Sequence, residues 1–279
     1  MTGELDPRVI CSTITLRHLP LPQALDEIAR RGFAGIDLGA LPGVCDHVPY
    51  DLDDRAVRAV AGTVAASGLR VRSINADIGD LNVPDASDDD SRVRDRHLDH
   101  LLDLAAAIDA DAVVLPNGGL SHAPRSSFAA DLGLVAGRLE GAAERAASRG
   151  REVWVEAPHL FRLVHTVDGA AALSSQLSGS VGLVCDVSHV VASGGTPRDF
   201  LTRFADRTRH VHLRDASLGY IHHSIGRGEI DFADVVSALD EHGYRGDLAL
   251  ELETRDLADA DRGVVAREAG LLISGWLAS

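Results

Sequence analysis

The sequence predicts an α/β fold, a (β/α)8 TIM barrel formed by residues 1–279 as one domain. Strand-like and helix-like segments alternate along the chain in roughly eight βα units, the number such a barrel requires. Several helical segments close on a glycine just before the next strand: Gly32, Gly68, Gly150 and Gly243. A glycine in that place is a usual helix stop. The last four strand-like runs each end in a carboxylate or an imidazole, and strand C-termini are where these barrels build their sites.

Each element has its own local signature. VICSTIT is apolar and β-branched and begins the sheet; PLPQALDEIARRG follows as a helix. GIDLGAL, LRVRSINA and DAVVLPNGG supply the next three strands. Between them lie the helices DRAVRAVAGTVAASG and SRVRDRHLDHLLDLAAAIDA, and FAADLGLVAGRLEGAAERAASRG follows the fourth strand. The second half repeats the alternation. EVWVEA, VGLVCDVSH, RHVHLRDA and DLALELE are strands. TVDGAAALSSQLSG, PRDFLTRFAD, DFADVVSALDEHG and DRGVVAREAGLLISGWLAS are the helices that follow them. No composition break marks a linker.

Composition narrows the chemistry. A 45% hydrophobic content suits a chain that buries a sizeable core. No apolar run spans a bilayer and MTGELDPRV is no signal peptide, so a cytoplasmic protein with no membrane partner is expected. A net charge of -15 sets the chain against nucleic acid. Cys11, Cys45 and Cys185 are an odd set without a CxxC pair, which fits a reducing compartment. Cys185 is expected in the core, on the strand face opposite Asp186. Every basic Lys-or-Arg position is arginine, so Schiff-base lysine chemistry is impossible here.

Two-residue alternation along the last four strands puts Trp154 and Glu156 on one face. Val184 and Asp186, then His210, His212 and Arg214, then Ala249, Glu251 and Glu253 follow in the same way. If these faces turn inward, Glu156, Asp186, His212 and Glu251 gather at one barrel mouth. Taken singly, a glutamate closing an apolar strand is usually a surface carboxylate, and a strand histidine is usually a hydrogen-bonded core residue. Four in order, one per successive strand, point instead to a single divalent cation. Three carboxylates and one imidazole suit Mn²⁺, Mg²⁺ or Co²⁺ and also accept Zn²⁺ or Fe²⁺.

These segments resemble the xylose isomerase-like TIM barrels, which include sugar epimerases, inosose dehydratase and hydroxypyruvate isomerase. The family pattern is a Glu ending strand five, D-x-x-H at strand six, H-x-H-x-[KR]-D at strand seven and G-x-x-x-x-E at strand eight. It falls here on Glu156; on Asp186 and His189; on His210, His212, Arg214 and Asp215; and on Gly246 and Glu251. The resemblance implies that Glu156, Asp186, His212 and Glu251 bind the metal. It implies an isomerase or epimerase that moves a proton next to the carbonyl of a keto-sugar through a metal-stabilised enediolate. Glu156 and Glu251 would be the acid/base pair, with His189, Arg214 and His159 on substrate hydroxyls. The substrate would be an unphosphorylated keto-sugar, cyclitol or keto-glycoside. A homo-oligomer is compatible with such barrels.

Three rivals share the scaffold. A lyase or dehydratase uses the same proton removal and then expels a leaving group. An abasic-site nuclease of the endonuclease IV type needs further histidines on strands three and four, where INADIGD and VVLPNGG offer none. A non-catalytic sugar-binding subunit would carry a broken ligand set. Among the loops, DIGDLNVPDASDDDSRVRD is expected as a solvated segment on the site face, with a lid as the alternative. His47 is expected on the surface of its loop. The Gly226 and Gly228 amides are weighed as an anion cradle against a plain turn.

Overall fold

The structure is a computed structural model and describes residues 3–278. Eight parallel strands close into a barrel. They are β1 (Val9–Ser12), β2 (Gly35–Ala40), β3 (Arg70–Ala76), β4 (Ala112–Pro116), β5 (Glu152–Glu156), β6 (Val181–Asp186), β7 (Thr208–Leu213) and, after a short hairpin, β10 (Leu248–Leu250). Helices α1 (Leu21–Arg30), α2 (Asp54–Ser67), α3 (Asp88–Ala107), α4 (Phe128–Ala147), α5 (Val167–Ser174), α7 (Pro197–Phe204), α8 (Phe232–Glu241) and α9 (Arg262–Leu277) follow the strands in turn. The predicted order of strands and helices is the order observed. All four predicted glycine stops have positive φ, from 67° at Gly150 to 88° at Gly32.

Several elements go beyond the sequence expectation. The first strand ends at Ser12, and Thr13–Leu16 turns as a 3-10 helix. α6 (Val187–Ala192) starts directly from the tip of β6, because the Asp186 carboxylate accepts from the backbone N–H groups of Ser188 and His189. An aspartate in that role is a strong helix cap. After β7, Asp215–Ser217 (β8) and Tyr220–His223 (β9) pair antiparallel as a hairpin.

Side chains alternate between two cores. Val153, Val155, Leu183, Cys185, Val211, Leu213, Leu248 and Leu250 face outward into the layer shared with the helices. Ala112, Val114, Trp154 and Val184 form a separate cluster inside the barrel. Trp154 is buried and pairs in register with Gly182, where a Cβ would lie 2.5 Å from the indole. Glycine at 182 therefore gives the indole its space. Above this plug the interior turns polar. Ser12, Asp37 and Ser73 lie side by side on β1, β2 and β3, and both serines donate to Asp37, at 3.0 and 2.6 Å. All three cysteines are free and buried. Among the described residues, no helix is long and apolar enough to cross a membrane.

The Gly226–Gly228 segment does build an anion cradle, but its anion is internal. The buried Asp215 carboxylate accepts from the N–H groups of Gly226, Gly228, Ile230 and Ala216 at 2.8–3.2 Å. A Cβ at Gly228 would come within 2.3 Å of that carboxylate. Asp215→Ala leaves four donors without their acceptor and should cost about 2–4 kcal/mol. Denaturant unfolding measures this, and an unchanged midpoint would contradict the anchoring role.

Candidate metal centre

The barrel register delivers the site. Asp186 at the tip of β6 is the direct cross-strand partner of His212 on β7, and His212 in turn partners Ala249 on β10. Glu251 follows the last residue of β10. The ligand atoms of Asp186, His212 and Glu251 all lie within 4.8 Å of one another, and all three residues are buried. Three of the four expected ligands are thus gathered in one group. Glu156, from β5, stands on its flank and is grouped by the same distance with His159 and His189.

The trio's atoms differ in how far the protein satisfies them. Asp186 Oδ1 is filled by the Ser188 N–H, the Ser188 hydroxyl and the His189 N–H, at 2.7, 2.6 and 3.1 Å. Its Oδ2 has only the Arg214 guanidinium, at 3.4 Å. Glu251 Oε1 accepts from Asn75 at 2.8 Å, and Oε2 lies 3.7 Å from His212 Nδ1. His212 is fully buried, yet neither ring nitrogen has a hydrogen-bond partner. Its Nε2 points toward Asp37 Oδ2 at 3.8 Å. A fully buried imidazole with both nitrogens unpartnered is costly unless something coordinates it. A dication on Nδ1 would leave Nε2–H facing Asp37, the carboxylate–histidine–metal arrangement that fixes a ligand ring. These orphaned atoms and the oxygen-rich donor set fit a divalent metal ion.

Electrostatics point the same way. Burial and then the charges of Asp186 and Glu251 push Glu156 up to about 8. Burial pushes Glu251 well above the usual range as well, although the nearby Arg214 charge opposes this. Burial also opposes ionisation of Asp186, but Arg214, His212 and the cap hydrogen bonds outweigh it and hold the carboxyl low. Arg214 is itself fully enclosed, and the charges of Asp186, Glu251 and Glu253 more than offset the cost of burying it. One guanidinium faces several carboxylates, and a dication would supply the missing positive charge.

The second histidine group has different chemistry. The Leu160 N–H donates to His189 Nδ1 at 3.0 Å, and the Phe161 N–H donates to His159 Nδ1 at 3.3 Å. Both rings therefore accept at Nδ1, which places the His159 proton on Nε2, while His189 Nε2 lies 3.5 Å from the Arg214 guanidinium. Burial holds both well below the usual imidazole range, so they are neutral. Their Nδ1 lone pairs face the backbone, so neither imidazole offers that atom to a metal, and the Glu156 carboxylate is the candidate ligand of this group. His189 Nε2 lies 3.2 Å from Glu156 Oε1 but out of line for a hydrogen bond, so that oxygen is also unpartnered.

Glu156, His159, His189, Arg214 and Glu251 all line one cavity of about 480 Å³ at the barrel mouth, a size usual for a small-molecule site. Asn75, Asp37 and His222 belong to the site or its support and were not singled out from sequence. The available signal was a polar residue inside an apolar strand, as in GIDLGAL and RSINA. His47 differs from expectation. It is buried within its loop, with Nε2 on the Leu19 carbonyl at 2.9 Å and Nδ1 beside Cys45 Sγ at 3.3 Å.

Two measurements follow from this geometry. Removing the Asp37 charge with Asp37→Asn should weaken Mn²⁺ or Zn²⁺ binding by about 10–100-fold without unfolding the chain; unchanged affinity by calorimetry would contradict its support of His212. Glu156 holds a proton up to about pH 8 when no ion is present. If Glu156 takes the ion, the metal displaces that proton, so affinity should rise by about tenfold per pH unit for each proton displaced as pH climbs toward that value. Calorimetry in buffers of different ionisation enthalpy reads the release directly, and no release at pH 7 would contradict it.

Comparison with known proteins agrees with this architecture. Over 265 residues the chain is 29% identical to a rhizopine catabolism protein, MocC, of Rhizobium meliloti, covering 84% of this chain and 75% of that protein. It is 27% identical to an inosose dehydratase of Lacticaseibacillus casei over 138 residues, 42% of this chain, and spans only 46% of that relative. The IOLI protein with a bound zinc atom shares the fold with a TM-score of 0.78 at 17% identity, covering 97% of this chain and 99% of that one. A 3-keto-D-glucoside 4-epimerase, YcjR, from E. coli does so with a TM-score of 0.76 at 17% identity, covering 96% and 99%. The family model for the xylose isomerase-like TIM barrel matches residues 25–274. The chain belongs to the xylose isomerase-like TIM barrel family.

Proposed function

We propose that this chain is a divalent-metal-dependent isomerase or epimerase that moves a proton next to the carbonyl of a keto-sugar, cyclitol or keto-glycoside. One observation carries this reading above the rest: Asp186, His212 and Glu251 bring their ligand atoms within 4.8 Å of one another around a buried imidazole with neither nitrogen partnered, and Glu156, with an unpartnered oxygen of its own, flanks them from a stave further round. Asp186, His212, Glu251 and Glu156 would hold the ion. A dication there draws electron density from a ketone oxygen and acidifies the neighbouring C–H. Mn²⁺, Mg²⁺ or Co²⁺ fits the oxygen-rich set, and zinc in the IOLI structure supports Zn²⁺ as a further occupant.

The chain's own groups supply the proton transfers. Glu156 and Glu251 stand on β5 and beyond β10, with β6 and β7 between them. That separation suits one carboxylate on each face of a bound ring. One removes the proton and the other returns it. A Glu156 carboxyl raised to about 8 has the proton affinity that general acid/base work near neutral pH asks for. The His159 Nε2–H, the His189 ring and the Arg214 guanidinium would bind substrate oxygens. Elimination is the second reading, favoured by the likeness to inosose dehydratase. It needs the same first step, followed by departure of a hydroxyl or glycosyl group.

Incubation in D₂O tests both. The metal-loaded protein should exchange the α-proton of at least one of a 2-ketohexose, a keto-inositol or a 3-keto-glucoside. Deuterium uptake without loss of water or aglycone marks the epimerase, and product loss marks the lyase. Glu156→Gln and Glu251→Gln should each lower the rate by about 10²–10⁴-fold, and chelation should abolish it reversibly. Exchange that survives chelation would overturn the proposal.

A further inference from the structure

The cavity carries its carboxylates and imidazoles at the floor and a set of exposed apolar side chains, beside the exposed Arg255, at the lip. Glu156, Glu251, Asn75 and His189 form part of the floor. The lip carries Val44, Leu120 and Phe161, exposed by 41%, 71% and 43%. These three come from three different loops, after β2, β4 and β5. Isolated exposed apolar residues are ordinary on any surface. Three that converge from separate loops on the rim of one cavity mark a binding surface.

Building on the function proposed above, we propose that the substrate bears an aromatic substituent: its keto ring lies on the polar floor and the substituent rests on the lip of Val44, Leu120 and Phe161. The two regions adjoin. The Phe161 ring meets the rings of His159 and His189 at centroid distances of 6.0 and 6.2 Å, and His189 Nε2 is 3.2 Å from Glu156. A group attached to a ring held at Glu156 would therefore emerge against Phe161. That ring also lies near-parallel to His222, 6.5 Å away at 21°, which makes an aromatic wall for offset stacking. Stacking of Phe161 on the sugar itself would account for Phe161 alone. It leaves the exposed Leu120 and Val44, on other loops, without a purpose. A second copy of the chain is the weaker occupant, since a stable interface needs about 800 Å² from each partner, and three side chains around a concave mouth do not supply it.

The test is a matched pair of ligands. Calorimetry on the metal-loaded protein compares methyl 3-keto-β-D-glucoside with phenyl 3-keto-β-D-glucoside. The phenyl compound should bind about 10- to 100-fold more tightly, the range expected for burying one ring. Leu120→Asp and Val44→Asp, both outside the reacting groups, should each erode that ratio while leaving methyl-glycoside affinity unchanged. Equal affinity for the two ligands would overturn the lip and leave the keto-sugar site standing. Binding of neither would remove the keto-sugar reading and the lip together. If Leu120→Asp leaves the ratio intact and instead splits an oligomer in sedimentation, the lip is an interface between copies and the proposal fails.

Discussion

Burying carboxylates is the constraint that shapes this molecule. Glu156, Asp186 and Glu251 sit at the closed end of a barrel mouth with Asp37 in the layer beneath, and water reaches little of any of them. Such a group must be neutralised by a proton, a guanidinium or a metal. The structure uses each partner it has. Ser188 and the first turn of α6 take one oxygen of Asp186. Asn75 takes one oxygen of Glu251, and Ser12 and Ser73 both donate to Asp37. Arg214 is buried among the carboxylates it offsets. What these contacts leave unmet are Glu156 Oε1 and both nitrogens of His212, while Asp186 Oδ2 has only a 3.4 Å contact and Glu251 Oε2 only 3.7 Å contacts to charged neighbours. The scaffold fixes that residue of unmet valence by register, since Asp186 and His212 are neighbours in the β6–β7 ladder.

Much of the fold was legible because its signals are local and repeat. Alternation of period two placed Trp154, Val184 and His210 inside and Cys185 outside, and the glycine stops marked helix ends that the structure reproduces. The convergence of Asp186, His212 and Glu251 could be read because the motif sits on strand ends, where alternate spacing dictates facing. Less was visible where a long-range partner decides the outcome. The Gly226–Gly228 amides looked able to hold a ligand; that they close on Asp215 depends on a contact 11 to 13 residues away. His47 is likewise buried by the Leu19 carbonyl of an earlier loop. The support of Asp37 and Asn75 joins opposite sides of the barrel, and no spacing within one strand reveals it. The Nδ1 atoms of His159 and His189 are engaged by the backbone of the turn after β5.

The division of labour follows from this layout. Strand tips hold the charged groups rigidly, while the loops after β2, β4 and β5 line the outer cavity and differ in chemistry from the floor. A family that acts by proton transfer needs the same floor for many substrates, and the loops are free to discriminate among them. On the proposed function both reactions would share the first proton abstraction, and the outer cavity would decide which of them follows.

Anomalous diffraction from manganese-loaded crystals would locate the ion. One peak is expected, bounded by Asp186, His212 and Glu251, with Glu156 closing toward it and Arg214 outside its shell. A peak on His159 and His189, a peak between Asp37 and His210, or no ordered peak in fully loaded protein would contradict that placement.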